Sequence, residues 1–180
     1  MAAVLLFAWI GFLHLTRGTA VRHVRGVGAD GVPVGISEPE FPLSVALLTG
    51  TSLAPGNRVE IALNGDATYE RLWNDLRSAS RSITLQLYYG SVGKTADTLH
   101  AILLNRAAAG VRIFVLYDGF GTPDISREHV ESLRRAGVSI EPFRPLRISA
   151  LHLAQNRSHA RGIVVDGQVG WTGGFGIDHK

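Results

Sequence analysis

The sequence predicts an α/β fold, in which a sheet is flanked by helices. From residue 58 onwards, short apolar runs alternate with stretches whose apolar residues recur every three or four positions. These are the spacings of strands and helices. Gly110 and Gly137 follow two of the helical stretches, at positions where helices commonly end. The alternation of strand and helix is typical of parallel strands joined by crossover helices.

Each element has its own signal. The predicted helices are Ala67–Ser80, Thr95–Ala109 and Ser126–Ala136, and the predicted strands are Arg58–Leu63, Ile83–Tyr88, Val111–Tyr117, Val138–Phe143, His159–Val165 and Val169–Thr172. Leu72 and Leu76 lie on one stripe of the first of these helices. The run Val111–Tyr117 is nearly all apolar, as in a sheet covered on both faces. Asp166 and Gly167 supply a turn between the last two strands.

Two segments precede this domain. Residues 1–17 are apolar up to Arg17 and predict a helix that acts as a short membrane anchor or signal-like segment. A buried first helix is the alternative. Residues 18–57 are rich in glycine and proline, which predicts a linker with one short strand near Leu43–Leu48. The compact domain then occupies residues 58–180.

Composition limits the class of function. A hydrophobic content of 46% and a charged content of 18% argue against disorder. The net charge of +3 fits an anionic substrate or a membrane surface. Lys94 and Lys180 are the only lysines and no basic run occurs, so we expect no nucleic-acid partner. The seven histidines lack zinc-ligand spacing and no nucleotide-binding glycine motif occurs, so we expect neither metal nor cofactor.

The segment Asn156–Lys180 carries the strongest functional signal. His159 and Arg161 are separated by one residue in a predicted strand, so their side chains should share a face about 7 Å apart. A nucleophile or base beside a fixed positive charge suits chemistry on a phosphate group. Asp118 follows the carboxyl end of another predicted strand, where it either borders a ligand site or forms a turn.

These residues match a family pattern. The segment His159-Ala-Arg161-Gly-Ile-Val-Val-Asp166 resembles the HKD motif, His-x-Lys-x-x-x-x-Asp, of the phospholipase D superfamily. Gly167 and the pair Gly173–Gly174 resemble its glycine-rich continuation. Upstream, the runs LRSASRSITLQLYY, LLNRAAAGVRIFVLYDGFG and LRRAGVSIEPFRP are similar to the amino-terminal half of bacterial cardiolipin synthase-like proteins.

The resemblance implies a reaction and a set of roles. His159 would attack phosphorus to form a phosphohistidine, or act as the acid partner, while Arg161 holds the phosphate oxygens and no metal is needed. Asp166 would support the site or simply form the turn. Gly173, Gly174 and Asp118 would border the substrate. The implied activity is phosphatidyl transfer or phosphodiester cleavage on phospholipids at the bacterial inner membrane, as in cardiolipin synthesis.

Three departures from the family pattern leave alternatives open. Arg161 stands in the lysine position, Gly176 stands where many members have asparagine, and only one motif copy is present where the reaction uses two histidines. We favour a half-domain truncated at its carboxyl end, whose second motif lies in a missing region. A homodimeric phosphodiesterase or nuclease is the second hypothesis. A non-catalytic remnant that binds phosphate or lipid headgroups is the third.

Overall fold

The computed structural model of the chain describes residues 2–16, 34–88, 90–119, 122, 125–145, 157–174 and 176–177. By its contacts the chain divides into two compact units, residues 18–61 and the remainder. The helices are α1 (Ala2–Thr16), α2 (Phe41–Thr49), α3 (Gly65–Ser78), α4 (Lys94–Ala108) and α5 (Arg127–Arg135). The strands are β1 (Ser82–Leu87), β2 (Arg112–Asp118), β3 (Ser139–Phe143), β4 (Gly162–Val165) and β5 (Val169–Thr172).

The predicted α/β fold is confirmed. The five strands form one sheet in the order β3-β2-β1-β4-β5. The strands β1, β2 and β3 are parallel, whereas β4 is antiparallel to β1 and β5 is antiparallel to β4. As a result, the amino-terminal end of β4 meets the same edge of the sheet as the carboxyl ends of β1, β2 and β3. We call this edge the carboxyl edge.

The core lies between one face of the sheet and the helices α3, α4 and α5. Alternate strand residues point into it, as the two-residue period of a strand requires. The buried strand residues are Ile83, Leu85, Leu87, Ile113, Val115, Ile140, Ile163 and Val165. The buried helix residues include Leu72, Leu76, Leu99, Ile102, Leu103, Val130 and Leu133. Each fully buried leucine or isoleucine contributes about 1.5–3 kcal/mol.

Local signals explain where α4 and α5 begin and end. The Ser126 hydroxyl accepts a hydrogen bond from the His129 amide at the start of α5, which satisfies one unpaired helix N–H group. Gly110 and Gly137 have φ values of 84° and 85°, so each takes the left-handed conformation that follows a helix end. The sequence prediction of both glycines as helix terminators is confirmed.

The opposite face of the sheet is the more exposed one among the residues that the structure describes. Phe114 and Val164 lie on this face and keep 49% and 43% of their surface exposed. The expectation that Val111–Tyr117 is covered on both faces is therefore wrong for the described residues. An unbroken apolar run gives the same signal whether its outward residues are covered or not, so the run alone does not decide the point.

Two predicted strands in the first part of the chain are also wrong. Residues 41–49 form the helix α2, which has proline in its first turn and ends at Gly50 with φ of 70°. Pro42 is compatible with a helix there, because the amide groups of a first turn have no partner within the helix and proline removes only one of them. Residues 57–63 form no strand, and the side chains of Val59 and Ile61 are 86% and 82% exposed. Apolar and polar residues alternate there as in a strand, but no described strand pairs with them.

The first helix presents apolar side chains to its surroundings. Phe7 and Trp9 in α1 are 75% and 59% exposed, and Trp9 stacks on Phe12 with ring centroids 6.1 Å apart. Within the described residues, no helix combines the length and the apolar character needed to span a bilayer.

Leu85 and Thr84 provide a matched test of which sheet face holds the core. Leu85 is 1% exposed on the helix-covered face, whereas Thr84 is exposed on the other. We expect Leu85→Ala to lower the free energy of unfolding by about 2–5 kcal/mol, because it leaves a cavity. Thr84→Ala should change it by less than about 1 kcal/mol. Urea unfolding followed by circular dichroism measures both, and equal losses would contradict the assignment of faces.

Candidate active site

The antiparallel pairing of β4 with β1 places His159 at the carboxyl edge. The paired residues end at Gln86 and Gly162, so residues 157–161 precede β4. The predicted strand therefore starts too early, and the expectation that His159 and Arg161 share a strand face is wrong. The chain enters the sheet only at Gly162. The positions of the His159 and Arg161 side chains therefore depend on contacts with neighbouring segments.

Two strands hold the residue that precedes His159. The Ser158 amide donates to Asp118 Oδ2 at 3.3 Å, from the carboxyl end of β2. The Gln86 side-chain amide, near the carboxyl end of β1, donates to Ser158 Oγ at 2.6 Å. One bond fixes the backbone and the other the side chain. His159 is therefore carried on a segment bonded to the ends of two parallel strands.

Asp118 is a buried carboxylate with charged and polar partners. It is 1% exposed, and its Oδ1 lies 3.6 Å from Nη1 of Arg157. The same Arg157 nitrogen donates to the Arg144 carbonyl at 2.8 Å, which links the segment to the end of β3. A buried charge requires such compensation, since removing one partner typically costs about 3–5 kcal/mol. Asp118, predicted from the sequence to border the site or form a turn, supports the histidine segment.

The backbone beside Asp118 is tightly packed. The Gly119 amide donates to the Phe143 carbonyl at 3.0 Å, and a Cβ at Gly119 would lie 2.8 Å from the Pro145 Cα. Backbone atoms cannot move aside for such a contact, so glycine is required at this position. The rest of the Asp118-Gly-Phe-Gly run, Phe120 and Gly121, lies outside the described residues.

His159 is exposed and its ring contacts an aromatic residue. The centroids of the His159 and Tyr88 rings are 3.9 Å apart, with the planes at 47°. Tyr88 directly follows β1, so it also lies at the carboxyl edge. The contact limits the orientations open to the imidazole. Tyr88 is not among the residues predicted for the site, although it ends a predicted strand, where ligand-binding residues commonly lie.

Arg161 is bonded to the glycine segment that follows β5. Its Nη1 donates to the Gly174 carbonyl at 2.6 Å, so the structure brings these two predicted site residues together. Gly173, with φ of 150°, turns the chain beside them. The Tyr69 hydroxyl of α3 donates to the Gly176 carbonyl and so ties the segment to the helix layer.

Asp166 lies at the opposite end of β4 from His159. Its carboxylate accepts hydrogen bonds from the amides of Ser80, Arg81 and Ser82 at 2.8–2.9 Å and from the Ser80 hydroxyl at 2.9 Å. Its own φ is 55°, within the turn that joins β4 to β5. The structure therefore does not bring Asp166 to the edge that carries His159, and its carboxylate anchors the start of β1.

Hydrogen bonding also sets the protonation of Asp166. The donors at Ser82, Ser80 and Arg81 stabilise the ionised carboxylate and hold its pKa well below the usual range.

Among the described residues, no three histidine or acidic side chains are grouped so that they could hold a metal ion. The charged groups at the described carboxyl edge include the guanidiniums of Arg161 and Arg144 and the Arg157–Asp118 pair.

The fold is that of an α/β domain whose carboxyl edge carries His159 and Arg161, with Asp166 at the far end of β4. The chain belongs to the family described as cardiolipin synthase, PLD-like domain, whose model matches residues 72–180. This confirms the resemblance drawn from the sequence.

Named relatives agree with the family assignment. A cardiolipin synthase of Geobacillus sp. (strain WCH70) is 35% identical over 127 residues, which are 70% of this chain and 25% of the relative. Cardiolipin synthase A of Pseudomonas fluorescens (strain SBW25) is 35% identical over 123 residues, 67% of this chain and 26% of the relative. The chain spans about a quarter of the length of these relatives.

A solved structure has also been matched. It is Nuc of Salmonella typhimurium, a phospholipase D family member, with a TM-score of 0.47 and 17% sequence identity. The match covers 62% of this chain and 65% of that protein.

The role of Asp166 can be tested by pH. A lowered pKa means that the ionised carboxylate stabilises the fold fully above the unfolded-state value of about 3.9, and that this stabilisation is lost as the pH falls towards the folded-state value. Asp166→Asn should therefore lower the unfolding midpoint at pH 7, and its difference from the parent chain should narrow between pH 5 and pH 2. Urea unfolding across this range measures the difference, with the exposed Asp66→Asn as control. A difference that does not change with pH would exclude the carboxylate as its cause.

Proposed function

We propose that this chain supplies half of a phospholipase D-type active site acting in phospholipid metabolism. The observation that carries the proposal is the placement of an exposed imidazole, His159, and a guanidinium, Arg161, beside the carboxyl edge of the sheet. Ligands of α/β sheets bind at this edge. The names of the relatives favour phosphatidyl transfer between phospholipids as the reaction.

In the proposed first step, a ring nitrogen of His159 gives its lone pair to the phosphorus of a phosphodiester. A nitrogen–phosphorus bond forms, the bond to the leaving alkoxide breaks, and a general acid gives that alkoxide a proton. In the second step, an alcohol of another lipid, or water, attacks the phosphorus of the phosphohistidine and loses its proton to the same group, while the nitrogen–phosphorus bond breaks and releases His159. That group would be a histidine of a second motif, from further residues of a longer protein or from a second subunit.

The remaining site residues would act on the phosphate or on the histidine. Negative charge on the non-bridging oxygens must be stabilised in the transition state, and Arg161 would provide the positive charge. A planar guanidinium binds phosphate through two parallel hydrogen bonds, unlike the ammonium of lysine. We propose that Gly173 and Gly174 border the substrate. Asp118 would act through Ser158, by fixing the segment that carries His159.

A phospholipid substrate implies work at a bilayer, and we propose association with the bacterial inner membrane. The exposed apolar side chains of α1 support this proposal, since Phe7 and Trp9 would be covered by lipid acyl chains. The mild positive charge of the chain would favour anionic lipids.

The phosphohistidine can be tested without the second histidine. A p-nitrophenyl phosphodiester releases an anion that needs no proton, so the chain should form the covalent intermediate by itself. We expect a burst of p-nitrophenolate with one equivalent per chain, and phosphorus attached to His159 in the peptide mass spectrum. His159→Asn should abolish both, whereas His23→Asn, in the predicted linker, should abolish neither.

The same measurement separates the three hypotheses. A burst without turnover, with a rate proportional to the protein concentration, fits half of a larger enzyme. Steady turnover that rises with the square of the concentration fits a homodimer. If no phosphorus becomes attached to His159 while the chain still binds phosphate, the chain is a non-catalytic binding remnant and the proposed reaction is wrong.

Arg161 can be tested through binding. Loss of a charged hydrogen bond to phosphate costs about 1.5–3 kcal/mol, so Arg161→Ala should weaken binding of soluble dihexanoyl phosphatidylglycerol about 10- to 100-fold. Arg161→Lys, which restores the family residue, should keep affinity within about tenfold of the parent chain. Isothermal titration measures all three. Equal affinity of the parent and alanine forms would remove Arg161 from the phosphate site.

A further inference from the structure

We infer that an apolar cavity between the sheet and the helices α4 and α5 binds a hydrocarbon segment of the lipid substrate. This inference rests on the proposed function, because it names where one part of that substrate lies. The cavity has a volume of about 60 Å³ and lies on the helix-covered side of the sheet. Its apolar walls include Leu87, Leu99, Leu103, Val115, Leu133 and Ile177.

Residues of the cavity wall are linked to the candidate site by chain adjacency and by a hydrogen bond. Leu87, in its wall, directly precedes Tyr88, whose ring contacts His159. Thr122, also in its wall, donates its hydroxyl hydrogen to the Asp118 carbonyl at 2.5 Å. The Ser91 amide donates to the Ile177 carbonyl at 2.9 Å, and both residues line the cavity. Leu87 and Thr122 of the cavity wall are therefore adjacent or bonded to the residues that position His159.

Size and polarity indicate the class of ligand. One water needs about 10–15 Å³ of cavity volume. The cavity therefore has room for about five waters or an equivalent length of hydrocarbon. Water is disfavoured where the walls offer few hydrogen-bond partners, and an apolar cavity binds apolar molecules instead. A phospholipid joins a phosphodiester to acyl chains, so one molecule can meet both the His159 edge and this cavity.

The polar residues at the cavity are arranged in a way that suits an apolar ligand. His100 of α4 and His129 of α5 stack with ring centroids 3.9 Å apart and planes at 6°. The His100 Nε2 lies 2.6 Å from Ser132 Oγ, and His129 Nε2 lies 3.5 Å from Asp97. Burial and the neighbouring His129 lower the pKa of His100, which favours its neutral form. The polar groups of the two histidines are thus paired with Ser132 and Asp97, and they need no hydrogen bond from a ligand in the cavity.

A series of alkyl phosphates tests the inference on the unmodified 180-residue chain. The phosphate group would bind beside Arg161, and the alkyl group would enter the cavity. We expect the affinity for methyl, butyl, hexyl and octyl phosphate to rise about fourfold per added methylene until the cavity is filled. The affinity should then level off at about six carbons. Isothermal titration below the micelle concentration gives the dissociation constants.

Two substitutions on α4 provide a matched comparison. Ala96 lines the cavity, whereas Ala101 is exposed on the same helix. Ala96→Leu should fill the cavity and flatten the dependence on chain length while leaving the affinity for methyl phosphate unchanged. Ala101→Leu should keep the full dependence. If Ala96→Leu fails to fold, Ala96→Val, which adds less volume, should reduce the dependence in part.

Two further ligands separate this inference from the proposed function. Arg161→Ala should lower the affinity for every alkyl phosphate by the same factor and leave the chain-length dependence intact. Hexanol, which lacks phosphate, should bind more weakly than hexyl phosphate. No dependence on chain length in the parent chain, or the same dependence in Ala96→Leu, overturns the inference even if the phosphohistidine forms. Hexanol binding as tightly as hexyl phosphate would mean a general apolar cavity, which also overturns it.

Discussion

The antiparallel pairing of β4 with β1 is the constraint on which the rest of the structure depends. It adds a reversed strand beside the three parallel strands, and so it brings the start of β4 to the carboxyl edge, where the loops after β1 and β2 also lie. Its register buries Ile163 and Val165 completely. A shift by one residue would turn both side chains to the opposite face and would expose them. The hydrophobic core therefore fixes the position of the histidine.

Two carboxylates hold the ends of this arrangement, and neither contacts the candidate nucleophile in the described hydrogen bonds. Asp118 binds the backbone just before His159, whereas Asp166 binds the backbone just before β1. Amide donors stabilise Asp166 as an anion, and Asp118 is buried against Arg157, so both carboxylates suit the role of fixed supports. The chemistry would then fall to the imidazole and the guanidinium, and the acidic residues would determine where these groups lie.

Much of the fold could be predicted from the sequence, because its signals are local. The helices α3, α4 and α5 and the strands β1, β2 and β3 lie within one or two residues of their predicted limits, since apolar periodicity and terminal glycines mark them. The signals failed where tertiary contacts decide. Residues 58–63 alternate like a strand but have no paired neighbour among the described residues, and residues 159–161 share the apolar run's extended pattern before the sheet begins at Gly162. The contact of Tyr88 with His159 joins segments far apart in sequence, so no local pattern contains it.

The spacing within the motif acquires a geometric meaning from the two anchors. His159 belongs to the carboxyl edge and Asp166 to the opposite edge, and β4 with its leading segment runs between them. The number of residues between histidine and aspartate is thus the length of chain needed to cross the sheet. Loss or gain of one residue in this interval would leave one anchor unreached, even if every side chain in the site were retained. In this chain the length of the interval is therefore a stricter geometric constraint than the identity of the residue at position 161.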